Sequence, residues 1–191
     1  MGDMLDDLRD KDILILDSTG HSRNLLRQIL LLLGFTRVTC AGRTTDALAL
    51  LREKSFRVVF CDEDVLPHTP GELMKSLRCD LTTANVVIPA VLVSTAARYD
   101  KVKEWRDAGG NDVIVKPVSM EVIKQRIASL ILNPKAFVTT RTFIGPDRRR
   151  EDRRQEGERN PSAEDRRGGH REAKVFGLTR ARSGENTGEH S

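Results

Sequence analysis

Aromatic residues are scarce: one Trp, one Tyr and six Phe, 4% of 191 positions. Once a core has taken its share, little ring surface is left for the stacking platforms of single-strand nucleic-acid binders. Cysteine is rarer still, and Cys40, Cys61 and Cys79 form no Cys-x-x-Cys pair and no even set. That excludes a disulfide framework and a thiolate zinc finger, and it points to a reducing compartment with small buried thiols. His21, His68, His170 and His190 are scattered without metal-ligand spacing. Long apolar runs are also missing. A run as long as any, Ile29 to Leu33, ends at Gly34, far short of the roughly 18 residues that a membrane helix needs. The acidic start, Met1 to Asp7, lacks a signal-peptide core, so a cytoplasmic chain without membrane insertion is expected.

What is present divides near Lys135. Up to residue 136 the chain is almost balanced, with 19 basic and 18 acidic side chains. From 137 to 191 it carries 13 basic and 10 acidic groups, and 12 of the 13 are arginine. Seven glycines and few branched aliphatics in that stretch give too little apolar material to offset chain entropy in a packed core. The expected organisation is a folded domain over 10–133, an arginine-rich segment over 137–175 and a disordered tail over 176–191.

The first part alternates strand and helix signals. Ile13-Leu14-Ile15-Leu16 is a continuous apolar run, the mark of a strand covered on both faces. Leu25, Leu26, Ile29, Leu30 and Leu33 then recur at helical spacing, and Gly34 stops the helix. Val38 to Ala41 reads as a strand, and Ala47, Leu48 and Leu51 as a helix face. Val58-Val59-Phe60-Cys61 is a third strand, with a helix from Glu72 to Leu77 after Gly71. Val91-Leu92-Val93 and Val113-Ile114-Val115 are strands four and five, separated by a helix through Val102 and Trp105. A last helix covers Glu121 to Leu132. Five such units imply right-handed crossovers and an α/β fold, a doubly wound parallel sheet of five strands. Its ligand site belongs beyond the carboxyl ends of the strands. That rule selects Asp17, Asp62, Ser94 and Lys116, each directly following a strand.

On these residues the stretch 11–132 resembles the receiver domain of CheY-like bacterial response regulators. The shared features are the first strand ending in Asp17, Asp62 with Leu66-Pro67 and Gly71, Ser94 with Thr95-Ala96, Ala108-Gly109, and Lys116-Pro117. The resemblance implies a flavodoxin-like receiver in which Asp62 is the phosphoacceptor and Ser94 and Lys116 contact the phosphoryl oxygens. It also implies Mg²⁺ held by Asp17 and Asp62, a histidine kinase partner, and a cis Lys116–Pro117 bond. A carboxylate nucleophile, oxygen ligands for a hard cation and a lysine that neutralises developing charge suit that chemistry. Three departures stand out. Ser18 replaces a second acid after strand one, so weak Mg²⁺ binding is expected. Asp62 lies five residues before Pro67 rather than four, so counting back from the proline selects Glu63, which would resemble a permanent acidic mimic. Counting forward from Phe56 selects Asp62. Val113 stands where the family has an aromatic switch. A degenerate receiver serving as a rigid adaptor stays open beside the working one. Asp62-Glu63-Asp64 also matches the DxD of haloacid-dehalogenase-type phosphatases, but a later acidic metal motif is missing. A non-enzymatic protein is expected.

The arginine-rich part holds an internal repeat: Asp147-Arg148-Arg149, Asp152-Arg153-Arg154 and Asp165-Arg166-Arg167. One reading is a solvated, self-neutralising tail. A nucleic-acid arm is a second, but interleaved acids and a small net charge make a poor polyelectrolyte partner, so DNA is not the expected ligand. A third reading explains the pairing. Arginine reads guanine O6 and N7 bidentately, a carboxylate suits the donors of the Watson–Crick edge, and guanidinium planes stack on bases and grip phosphates. Several such units suit a ligand with several guanines and phosphates, such as cyclic di-GMP. Arg149 with Arg153, and Asn160-Pro161-Ser162, look like compressed fragments of the PilZ signature. A receiver followed by Gly-Pro-Asp-Arg-Arg resembles the Cle group of CheY-like proteins. That resemblance implies a tail that binds cyclic di-GMP, docking of the receiver to the flagellar motor switch, recruitment to the flagellated pole, and control of motility and surface attachment. The ordered tail is then expected on the face formed by helix four, strand five and helix five. The alternative is a phosphorylation-driven single-domain response regulator whose tail binds nucleic acid or nothing.

Overall fold

In the computed structural model the described residues are 10–80, 82–140 and 143–148, with the backbone of 174–176. Five strands, β1 (Ile13–Leu16), β2 (Val38–Ala41), β3 (Val58–Asp62), β4 (Ala90–Ser94) and β5 (Asp112–Val115), form one sheet in the order β2-β1-β3-β4-β5. Every pairing in it is parallel. Between the strands run α1 (Gly20–Leu32), α2 (Thr44–Glu53), α3 (Pro70–Cys79) and α4 (Tyr99–Asp107), and α5 (Met120–Leu132) closes the series.

Successive strand side chains point to opposite faces, so the sheet has two cores. Ile13, Ile15, Phe60, Val91 and Val93 meet Leu26 and Leu30 of α1 and Ile123 and Ile127 of α5. Leu14, Leu16, Val59 and Leu92 meet Leu51 of α2, Leu73 and Leu77 of α3, and Trp105 of α4. This is the doubly wound arrangement that the continuous apolar runs require. Gly34 ends α1 at φ 91°, with its N–H bonded to the Leu31 carbonyl at 2.9 Å. The third helix starts before the expected Glu72. Thr69 accepts the Glu72 N–H at 3.2 Å, the Glu72 carboxylate accepts the Thr69 N–H at 2.8 Å, and Pro70 fills the first turn. This capping box satisfies two orphan donors at once.

The folded body extends past the expected boundary at 133. β6 (Phe137–Thr139) and β7 (Ile144–Pro146) form an antiparallel hairpin, and β8 (Lys174–Phe176) pairs antiparallel with the other edge of β6. Its anchor is Arg78 in the last turn of α3, only 2% exposed. The guanidinium donates to the carbonyls of Val86 and Ile88, each at 2.7 Å, and of Gly109 at 3.0 Å. The Phe137 ring lies 4.9 Å from its Cζ, a cation–π contact. Burial pushes the Arg78 pKa down to about 9, so the group is still charged at neutral pH, with carbonyl oxygens replacing water. Gly109 (φ 90°) and Gly145 allow the backbones to touch. A Cβ on Gly109 would strike the Ile144 carbonyl, and one on Gly145 would lie 3.0 Å from the Gly109 Cα.

This seat lies at the amino-terminal edge of the sheet, on α3, the 3-10 turn Ala84–Val87 and the turn into β5. The sequence-based expectation put the ordered tail on the face of α4, β5 and α5. For residues 137–140 and 143–148 the structure differs, because Arg78 and the paired glycines draw the hairpin to the other end of the fold.

Candidate functional site

The carboxyl ends of the strands bring four of the expected residues together. Asp17 follows β1 and is 5% exposed, Asp62 ends β3 at 4%, and Ser94 ends β4 at 1%. Lys116 follows β5, and its ammonium bonds the Asp62 carboxylate at Oδ2. The Lys116–Pro117 bond is cis, as is Leu66–Pro67. Lys116, Pro117, Asp17 and Asp62 line a cleft of about 100 Å³.

Each carboxylate is oriented by its own loop. Asp17 Oδ1 accepts the Thr19 N–H at 2.8 Å, and Asp62 Oδ1 accepts the Asp64 N–H at 3.0 Å. The Ser18 hydroxyl, standing where a second acid was absent, donates to the Asp64 carbonyl at 3.0 Å. Burial pulls the Lys116 pKa down, but its bond to Asp62 and the charges of Asp62, Asp17 and Asp64 hold it above its ordinary value. Burial, reinforced by the charges of Asp62 and Asp17, pushes the Cys61 thiol well up. It is a protonated core thiol rather than a nucleophile.

The Ser94 hydroxyl is engaged by the residue after Asp62. Its hydroxyl lies 2.7 Å from Glu63 Oε2, while the Thr95 hydroxyl donates to Glu63 Oε1 at 2.6 Å and the Thr95 N–H bonds the same oxygen. Burial raises the Glu63 pKa, but the hydrogen bonds from Thr95 and Ser94, with the charge of Lys116, hold it below the usual carboxylate range. Counting back from Pro67 had raised Glu63 only as an alternative to Asp62. The sheet register carried a stronger signal. Asp62 pairs with Val93, so the next residue along β3 stands beside Ser94.

The arginine-rich candidates lie elsewhere. Asp147 and Arg148 leave β7 at the opposite edge of the sheet. The Asp147 N–H donates to the Ala136 carbonyl at 2.7 Å, and the Arg148 guanidinium donates to the Gly110 carbonyl. Arg149, Asp152, Arg153, Arg154, Asp165, Arg166 and Arg167 lie outside the described residues. Sequence reasoning missed Arg78, which looked like an ordinary basic residue near a helix end.

A five-stranded parallel sheet in this order, with an acid–lysine pair at its carboxyl edge, defines a receiver. The chain belongs to the response regulator receiver domain family, whose pattern it matches over residues 13–128. It is 30% identical to the chemotaxis protein CheY of Pseudomonas aeruginosa over 118 residues, which cover 62% of this chain and 94% of that one. The solved structure of the chemotaxis response regulator CheY4 of Vibrio cholerae superposes with a TM-score of 0.56 at 23% identity, covering 62% of this chain and 98% of that chain. The receiver domain of the sensor histidine kinase PA1611 of Pseudomonas aeruginosa, solved with magnesium in its active-site cleft, gives 0.58 at 18% identity, covering 65% and 98%. No helix among the described residues is long and apolar enough to cross a membrane.

Proposed function

We propose that this receiver is a non-enzymatic signalling adaptor whose arginine-rich segment binds cyclic di-GMP and thereby promotes docking to a flagellar motor switch protein, as the resemblance to the Cle group implies. The observation that carries this reading is how the segment is attached. Asp147-Arg148, the start of the first Asp-Arg-Arg unit, emerges directly from β7, and β8 pairs with the same β6. The units at 152–154 and 165–167 fall between those two strands in sequence. A segment tethered at both ends to the receiver would meet a dinucleotide with several of its Asp-Arg-Arg units at once. In each unit the carboxylate would take the guanine Watson–Crick edge, one guanidinium O6 and N7, and the other a base face or a phosphate.

The other edge of the sheet would take the phosphoryl chemistry of the family. Asp62 is the acceptor, Lys116 neutralises charge beside it, and Ser94 supplies a hydroxyl at the end of β4. Asp17 and Asp62, with no cluster of three metal-ligating side chains among the described residues, are a sparse set of hard oxygen donors. Such a set suits a cation that keeps several waters, and these two residues would hold Mg²⁺ weakly, with Ser18 adding no charge. When bound, Mg²⁺ would supply charge neutralisation for a phosphoryl group, and a histidine kinase would supply that group. A cytoplasmic location with recruitment to the flagellated pole follows from the same reading.

Calorimetric titration of the full chain tests it. Cyclic di-GMP is expected to bind, cyclic di-AMP to bind far more weakly because adenine presents an amino donor where guanine has O6, and Arg148→Ala plus Arg149→Ala to abolish the heat. Equal affinity for the two dinucleotides would sink the proposal.

A further inference from the structure

Glu63 is seated as a ligand is seated. Its two carboxylate oxygens take three donors at the carboxyl end of β4: the Ser94 hydroxyl, the Thr95 hydroxyl and the Thr95 backbone N–H. The Ser94 hydroxyl also lies 2.7 Å from the Ala96 carbonyl, but it has one proton and the charged carboxylate is the stronger acceptor. Its lone pair then receives the Ala96 N–H at 3.2 Å. Lys116, whose ammonium bonds Asp62, adds positive charge that acts on the Glu63 carboxylate. Two hydroxyls and a loop N–H converging on one carboxylate, with the positive charge of an ammonium acting on it, make an oxyanion seat, and here the chain fills it with its own side chain. The seat is a property of register: β3 continues in the ladder through the Glu63 N–H, bonded to the Val93 carbonyl at 3.0 Å, so the residue after the acceptor candidate is carried alongside Ser94.

We infer that Glu63 is an intramolecular ligand of this seat, occupying the place that a phosphoryl group on Asp62 would need. The receiver's β4–α4 loop is thereby held in its anion-bound arrangement without a phosphoryl donor, and modification of Asp62 requires Glu63 to leave. A tethered carboxylate acts at high effective concentration, so an outside anion must displace it rather than fill an empty site. Two anions cannot share the same three donors, and their mutual repulsion makes the exchange exclusive. The inference rests on the reading of Asp62 as acceptor for the competition, but not for the occupancy of the seat.

The test uses the full chain labelled with nitrogen-15, beryllofluoride with Mg²⁺ as the phosphoryl surrogate, and the variants Glu63→Ala and Glu63→Gln. In the parent chain the Thr95 amide proton is expected far downfield, and in Glu63→Ala it loses that position and regains it when beryllofluoride is added. Glu63→Ala is expected to saturate at a beryllofluoride concentration about tenfold or more below the parent, the equivalent of one charge-assisted hydrogen bond. Glu63→Gln keeps the shape without the charge and should fall between them. Adding Asp62→Asn to Glu63→Ala should remove the response. Saturation of the parent and Glu63→Ala at the same concentration overturns the competition, and a Thr95 amide indifferent to Glu63→Ala overturns the occupancy. If the Thr95 amide moves but neither chain responds to beryllofluoride, the seat stands as described, while the acceptor reading of Asp62 and the competition both fall.

Discussion

Arg78 shows how much one side chain can decide. Its guanidinium is almost wholly buried, yet it satisfies the carbonyls of Val86, Ile88 and Gly109 and lies over Phe137. Removing it leaves buried acceptors without donors as well as a void, so Arg78→Ala should cost about 3 kcal/mol or more in urea unfolding. Arg78→Lys should recover only part of the loss, because a single ammonium cannot fork between those carbonyls. None of this was legible locally, since the partners of Arg78 come from two turns and from a strand far along the chain. Asp12 is a second residue with a measurable role. It receives Lys54 at 2.9 Å and Arg37 at 2.8 Å. Burial raises its pKa, but the bond and charge of Lys54 and then Arg37 outweigh that and leave it lowered. A folded pKa below the unfolded value near about 4 means stability present above that pH and lost as pH falls through the folded value. Asp12→Asn should therefore flatten the loss of stability on acidification below about pH 4, and an unchanged acid limb would deny Asp12 its role.

At the scale of elements, the parallel sheet was legible because a strand buried on both faces must be apolar throughout, and Ile13–Leu16 and Val58–Cys61 leave no other reading. That Asp17, Asp62 and Lys116 would meet was legible for the related reason that the carboxyl ends of such strands are where a doubly wound sheet opens. The start of α3 was misplaced because Thr69 and Glu72 were not read as a reciprocal cap. The hairpin β6–β7 was missed because three-residue strands carry no periodicity, and the burial of Phe137 makes sense only against Arg78. Gly145, read as the first residue of a ligand motif, is what allows the hairpin to approach Gly109. Gly145→Val would drive a side chain into the Phe143 ring and toward the Gly109 backbone. It should cost about 1–3 kcal/mol and strip hydrogen-exchange protection from the amides of the β6–β7 ladder while leaving β1 and β3 protected. Full protection in Gly145→Val would show that the close backbone approach does not hold the hairpin.

Over the whole molecule the two edges of the sheet carry two chemistries. The carboxyl edge holds the Asp62–Lys116 pair and a seat occupied by Glu63. The amino edge holds the hairpin from which the arginine-rich segment departs, tied down by Arg78 and by the Arg148 bond to Gly110. A ligand that claims Arg148 must compete with that bond, and a change there is delivered to the turn between α4 and β5, the two elements that run from this end of the sheet to the carboxyl edge. Nucleotide can alter partner affinity only by interacting differently with the docked and free states, and the coupling must be reciprocal. The most direct measurement is the affinity of a motor-switch peptide for the full chain with and without saturating cyclic di-GMP. Tighter binding with nucleotide, a matching gain in nucleotide affinity with peptide, and loss of both in Arg148→Ala plus Arg149→Ala is the predicted result. Peptide affinity unchanged by nucleotide would contradict it.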